Sequence, residues 1–155
     1  MRRFEFPLQR VADWREKQLA IEEVKLERLN AELRILDARR IALDSEQAAC
    51  DRQVLRAGTV TAGELHLLDS FRRYAKNQRT LIAGQRTSAE VKIGEQRTAL
   101  LEARRNLELL KRLRGKRLAA WQREFNLELE QQAAEAHISR IRGARETGPT
   151  TDSIT

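Results

Sequence analysis

"RAGTVTAGEL" occupies residues 56–65, and its reading decides the fold. Gly58 and Gly63 flank the β-branched run Thr59, Val60 and Thr61, which makes a poor helix. Thr61 is followed three residues later by Glu64, the spacing of a capping box, in which each side chain satisfies a free amide at a helix start. The stretch therefore ends one helix and begins another near Ala62. Short connections set neighbouring helices antiparallel, so the expected fold is a two-helix antiparallel hairpin turning at about residues 56–61.

A seven-residue pattern lies before the turn. Steps of four and three from Leu8 give Leu8, Ala12, Arg15, Leu19, Glu22, Leu26, Leu29, Leu33, Leu36, Arg40, Leu43, Gln47, Cys50 and Val54. A mostly apolar seam sustained over so many heptads is a coiled-coil signature. Beside it, Glu16, Glu23, Asp37, Asp44 and Asp51 are placed to meet cations on a facing helix. After the turn the apolar face is read as Leu67, Phe71, Tyr74, Gln78, Leu81, Gln85, Ala89, Gln96, Leu100, Ala103, Leu107 and Leu110. Gly84, Ser88 and Gly94 weaken its middle, which is either a looser polar seam or a hinge or point where a partner approaches closely.

Composition agrees with long helices. Of 155 residues, 34% are charged and 5% aromatic, and Pro7 and Pro149 are the only prolines. No helix between them is broken for lack of an amide hydrogen. The expected boundaries are helices at about 7–55 and 62–142 in a single domain, 1–142, with a disordered polar tail at 143–155. Cys50 is the only cysteine, so no intrachain disulfide forms, which fits a reducing compartment. Neither a secretory signal nor an apolar run of membrane-spanning length is visible. A soluble cytoplasmic monomer is expected.

The net charge of +7 is compatible with nucleic acid, acidic membranes or acidic protein partners. It is unevenly spread: residues 8–54 carry nine Lys/Arg and ten Asp/Glu, and residues 64–114 carry twelve and six. Pairing across the turn sets residue i beside about 118 − i, so Leu8 faces Leu110 and the second helix runs on past the first for ~40 Å. This overhang has its own apolar stripe: Leu118, Trp121, Phe125, Leu129, Ala133 and Ala136, with Ile138 and Ile141 nearby. Phe4 and Phe6 can cover its first turns. The remainder meets another protein, self-associates, or folds back at Gly115.

Basic charge peaks in the same region. "KRLRGKR" (residues 111–117) places Lys111, Arg112, Arg114, Lys116 and Arg117 in one turn and a half or so of helix. It reads as a solvated face, a docking tip for an acidic protein surface, or a sequence-blind nucleic-acid contact. No finger, RRM or helix-turn-helix signature supports specific nucleic-acid binding. His66 and His137 lack metal-ligand spacing, phosphate-loop and dinucleotide motifs are missing, and no nucleophile has a base and orienter nearby. No enzyme and no cofactor are expected. Leu67, Leu68, Phe71 and Tyr74 form a separate cluster near the turn, read as seam or as a second contact site.

Two stretches resemble a known family. "FEFPLQRVADWREKQ" (4–18) is similar to the start of the flagellar export protein FliJ family, which opens aromatic-x-aromatic-x-Leu-Gln. "LELLKRLRGKRLAAWQREFNLELEQQAAEAH" (107–137) resembles its C-terminal segment, with Leu110, Leu113, Arg117 and Trp121 at the family's spacing. Gly84, Gly94 and Gly115 depart from the pattern. The resemblance implies a non-enzymatic stalk of the flagellar type III export apparatus, an antiparallel coiled coil similar to the rotary ATPase gamma subunit. It would be cytoplasmic and peripheral to the inner-membrane export apparatus. Its implied partners are the hexameric export ATPase, whose central pore it enters and whose assembly and activity it promotes, the membrane export gate and export chaperones. On this view Phe4, Phe6, Leu8, Arg117, Leu118, Trp121, Phe125 and Leu129 meet the ATPase ring, residues 111–117 form a basic belt, and Leu67, Leu68, Phe71 and Tyr74 meet the gate. The equivalent stalk of a virulence type III secretion system and a self-associating basic coiled-coil scaffold or nucleic-acid tether are the competing readings.

Overall fold

In a computed structural model, which describes residues 3–146, the chain is two helices, α1 (Gln9–Arg56) and α2 (Ala62–Glu146), with no strand among the described residues. The fold is all-α, an antiparallel two-helix hairpin whose second helix has 85 residues against 48 in the first. Contacts group the chain into two compact units, residues 13–107 and residues 1–12 with 108–155, and each is described by itself.

The turn forms as its residues require. α1 ends one residue before Ala57, and Gly58 follows with φ of 65°, the left-handed conformation in which helices commonly stop. The Ala57 amide donates to the Val54 carbonyl at 3.3 Å and the Thr59 amide to the Ala57 carbonyl at 2.7 Å. α2 then opens on a reciprocal capping box. The Thr61 amide donates to Glu64 Oε2 at 2.8 Å, and the Glu64 amide donates to Thr61 Oγ1 at 3.3 Å. The Thr61 amide foremost, and then the Thr61 hydroxyl, which donates to the same carboxylate oxygen at 3.0 Å, hold the Glu64 carboxyl below its usual range.

In the 13–107 unit the α1 seam follows the heptad closely. Arg15, Leu19, Glu22, Leu26, Leu29, Leu33, Leu36, Leu43, Gln47, Cys50 and Val54 are all buried or half-buried, and Arg40 alone of the expected positions is exposed. The register falls where expected at Glu22, whose carbonyl accepts a 3.1 Å hydrogen bond from Gln96 Nε2 while its carboxylate accepts a second. With Gln96 the largest cause and Lys25 the next, the Glu22 pKa is lowered.

The acidic edge of α1 also pairs as its spacing demands. Asp51 meets Arg72 at 2.8 Å, Asp44 meets Arg79 at 2.7 Å, Asp37 meets Arg86 at 3.2 Å and Glu23 meets Arg104 at 3.7 Å. The first three pairs step one heptad at a time in opposite directions along the two helices, which locks the register. Arg79 also donates to Gln47 at 2.6 Å, tying the ladder to the seam. Each pair is solvent-exposed and adds only a few tenths of a kcal/mol, so the ladder chooses the alignment more than it supplies stability.

The α2 seam differs from the expected one. Its covered positions are Leu68, Phe71, Ala75, Gln78, Ile82, Ala89, Ile93, Gln96, Leu100, Ala103 and Leu107, a three-and-four pattern interrupted only between Ile82 and Ala89. Leu67, Tyr74, Leu81 and Gln85 were expected on it and are exposed instead. The reason is spacing. Ala75 and Ile82 continue the seven-residue steps of Ala89, Gln96 and Ala103, whereas Tyr74 and Leu81 fall one residue, about 100°, off that line. Ala75 is fully buried.

Three further details depart from the sequence reading. α1 begins at Gln9 rather than about residue 7, because Pro7 sits in a turn closed by the Gln9 amide donating to the Phe6 carbonyl at 3.0 Å. Proline's fixed φ suits the second position of such a turn. α2 continues to Glu146, so residues 143–146 of the expected tail are helical, and residues 147–155 lie outside the described residues. Gly84, Gly94 and Gly115 stay within the helix, and a Cβ on any of them would meet nothing within the chain, so α1 does not approach them closely.

Candidate functional site

The candidate site lies wholly in the unit made of residues 1–12 and 108–155. Two short pieces of chain build it. The turn at Pro7 directs the residues before α1 back across α2. Phe6 is 7% exposed and Leu8 half-buried. Phe4 meets Trp121 with ring centroids 6.0 Å apart and planes tilted by 56°, and Trp121 stacks on Phe125 at 5.1 Å. Tilted and offset ring pairs of this kind add about 1 kcal/mol each beyond the area they bury. Residues 118, 121 and 125 share one face of α2 because they are spaced by three and four.

The three rings and Phe6 cover only the start of the stripe. Leu118, Trp121 and Phe125 remain half-buried, and every residue from 126 to 143 is exposed, including Leu127, Leu129, Ile138 and Ile141. Leu129, expected at the same site, thus lies beyond the cluster. The structure brings Phe4, Phe6, Leu8, Leu118, Trp121 and Phe125 into one unit, as their places in the sequence implied.

The basic belt lies in the same unit, on the turns of α2 just before the cluster. Lys111, Arg112, Arg114, Lys116 and Arg117 are all exposed. Arg112 pairs with Glu108 one turn back. Arg114, Lys116 and Arg117 have no acidic partner among the described residues. Arg10 and Arg114 line a cleft of ≈ 550 Å³ together with Phe4, Glu5, Phe6, Pro7 and Gln9. A surface that joins an aromatic ridge to unpaired guanidinium groups suits a partner with both apolar and anionic groups.

The second cluster lies in the 13–107 unit. Phe71 and Tyr74 have ring centroids 6.3 Å apart. Phe71 and Leu68 belong to the seam, whereas Leu67 and Tyr74 point to solvent at 69% and 55% exposure. A groove of ≈ 380 Å³ runs beside them, lined by Cys50, Val54, Val60, Leu67, Leu68 and Phe71 among others. Sequence reasoning missed the contribution of Val60 to this groove, although a β-branched residue in the turn was the available signal.

Among the described residues no group of three or more His, Cys, Asp and Glu side chains is placed to share a metal ion, and no helix is long and apolar enough to cross a membrane. Comparison of the chain with protein-family models, with curated proteins and with solved structures gives no match.

Proposed function

We propose that the chain is a non-enzymatic stalk of a type III protein export apparatus, acting as the flagellar export protein FliJ family does. One observation carries the reading. Residues from both ends of the hairpin sequence meet here: Phe4 before α1 packs on Trp121, which stacks on Phe125 of α2, Phe6 is buried beside Phe4, and the exposed Arg114 and Arg117 of the same unit have no acidic partner among the described residues. A stalk that enters a protein ring needs such a tip: stiff, helical, apolar at its contact surface and charged around it.

In this reading Phe4, Phe6, Leu8, Leu118, Trp121, Phe125 and Leu129 dock in the central pore of a hexameric export ATPase. Residues 111–117 face acidic or carbonyl-rich pore loops. The exposed Leu67 and Tyr74, with Leu68 and Phe71 behind them, are the surface for the membrane export gate. The protein works in the cytoplasm beside the inner-membrane export apparatus and also meets export chaperones. It performs no chemistry itself; it promotes assembly and turnover of the ATPase. The virulence counterpart of this stalk shares all these features.

The test is to measure binding of the purified chain to the export ATPase of the same cells, together with the ATPase's oligomerisation and ATP hydrolysis. Trp121→Ala removes an aromatic anchor of the kind that carries interface affinity, so binding should weaken by roughly 30-fold or more. Charge removal at Arg114, Lys116 and Arg117 should flatten the salt dependence of binding. A chain that neither binds the ATPase nor changes its hydrolysis rate rules the stalk out.

A further inference from the structure

The part of α2 beyond the aromatic cluster has a charge pattern that nothing so far explains. Residues 111–117 hold five Lys/Arg and no acid, whereas residues 124–136 hold Glu124, Glu128, Glu130 and Glu135 and no Lys or Arg. All of these are exposed. Arg114, Lys116, Arg117 and the four glutamates have no partner of opposite charge among the described residues. None of them has an opposite charge three or four residues away on its own helix, the spacings that pair best. The 13–107 unit is different: its helices match acid to base in a ladder. The sequence has thus separated the two signs into blocks on one helix and set them on either side of the half-covered Trp121 and Phe125.

We propose that this segment of α2, residues 110–136, pairs antiparallel with the same segment of a second copy of the chain, about a two-fold axis near residue 123. An antiparallel two-fold pairing places each block against the opposite block of the partner and uses the same patch twice. Trp121 then lies against Phe125 of the second copy and Leu118 against its Leu129, on the sides that Phe4 and Phe6 leave uncovered. These residues all lie on one stripe of the helix, spaced by threes and fours. Arg117, Glu124, Glu128 and Glu135 lie together on one flank of that stripe. In antiparallel helix pairs like flanks meet, so Arg117 of each copy faces Glu128 of the other, and Arg114 comes within a turn of Glu135. Leu129 and the uncovered sides of Leu118, Trp121 and Phe125 are covered by the same contact. The partner is a second copy, rather than a nucleic acid, because the glutamate block would repel a phosphate backbone along half of this surface.

This inference does not depend on the stalk reading. It uses part of the same surface, however, so a second copy and an ATPase ring would exclude one another.

The test uses the purified full-length chain alone, so its outcome is separate from ATPase binding. Light scattering and sedimentation equilibrium should give the mass of two chains at ~100 µM and a shift towards one chain on dilution. Arg117→Glu sets like charges together twice per dimer and should weaken association roughly tenfold. The double variant R117E/E128R restores both pairs and should recover most of that loss. Arg117 and Glu128 are exposed and about 16 Å apart along one helix, so neither pairing nor rescue can arise within one chain. For the same reason R117C/E128C in a Cys50→Ser background can form a disulfide only between chains, since ~7 Å is the limit between Cα atoms. Rescue and interchain cross-linking support the proposal. A monomer at every concentration overturns it, and so does a dimer that the charge swap does not rescue and the cysteine pair does not cross-link.

Discussion

Leu81 and Ile82 are neighbours in sequence, similar in volume and equally apolar, yet the structure gives them opposite positions. Ile82 is 8% exposed in the seam and Leu81 is 57% exposed. Truncating each to alanine separates the two helical phases. Ile82→Ala removes the equivalent of three methylene-sized groups from an almost fully buried site, worth ~0.8 kcal/mol each. The seam of a two-helix hairpin is narrow and water can reach a vacated site from either side, so the added cavity cost is small. Alanine's better helix propensity returns a few tenths of a kcal/mol. The net loss should be about 2 kcal/mol. Leu81→Ala should lose at most ~1 kcal/mol, because more than half of the side chain is already in water. Urea unfolding followed by far-ultraviolet circular dichroism measures both. With a slope of about 2 kcal/mol per molar, Ile82→Ala should lower the midpoint by ~1 M and Leu81→Ala by less than half of that. Equal shifts, or a larger one for Leu81→Ala, would mean that α2 faces α1 with the other phase, and the seam described above would be wrong.

The remaining expectations concern the ladder and the turn. Replacing Asp37, Asp44 and Asp51 together by Asn should cost about 1 kcal/mol at low salt and much less at ~1 M salt, where exposed pairs are screened; an effect independent of salt would show that the pairs act through packing instead. Gly58→Ala forces a Cβ into a left-handed residue and should destabilise by about 1 kcal/mol, with Gly58→Asn milder, both read as shifts in the unfolding midpoint. The carboxyls of Glu64 and Glu22 have pKa values lowered in the folded chain from the ordinary 4.5, so their contribution to stability is full above that value and fades as pH falls through the folded value. Glu64→Gln should therefore flatten the fall of stability with pH below 4.5 and leave the slope above it unchanged; an unchanged acid limb would deny the capping box its role.

The two helices were not equally legible. α1 carries single leucines at Leu19, Leu26, Leu29, Leu33, Leu36 and Leu43, with polar neighbours on most sides, so only one phase buries them. The acidic edge followed from the same phase, but its arginine partners did not, because they depend on which face α2 turns towards α1. The capping box was equally plain, because two side chains and two amides three residues apart satisfy each other without help from the rest of the chain. The aromatic cluster was legible only as a juxtaposition: Phe4 and Trp121 are far apart in sequence, and a hairpin with an excess of second helix brings them together.

By itself, then, the sequence determined that there are two long helices, where they turn, which face of the first is buried and that its N-terminal aromatics cover the second. These depend on local hydrogen bonds and on a periodicity with no rival. Only the tertiary structure decided which face of α2 is buried. Leu67 and Leu68, Tyr74 and Ala75, and Leu81 and Ile82 are adjacent apolar pairs, and each offers two phases of nearly equal hydrophobicity. The choice falls to fit against α1: Ala75 and Ile82 are buried against it, and the arginines at 72, 79 and 86 reach their aspartates in that phase. A residue's hydrophobicity is its own, but the space available to it belongs to the neighbour it packs against.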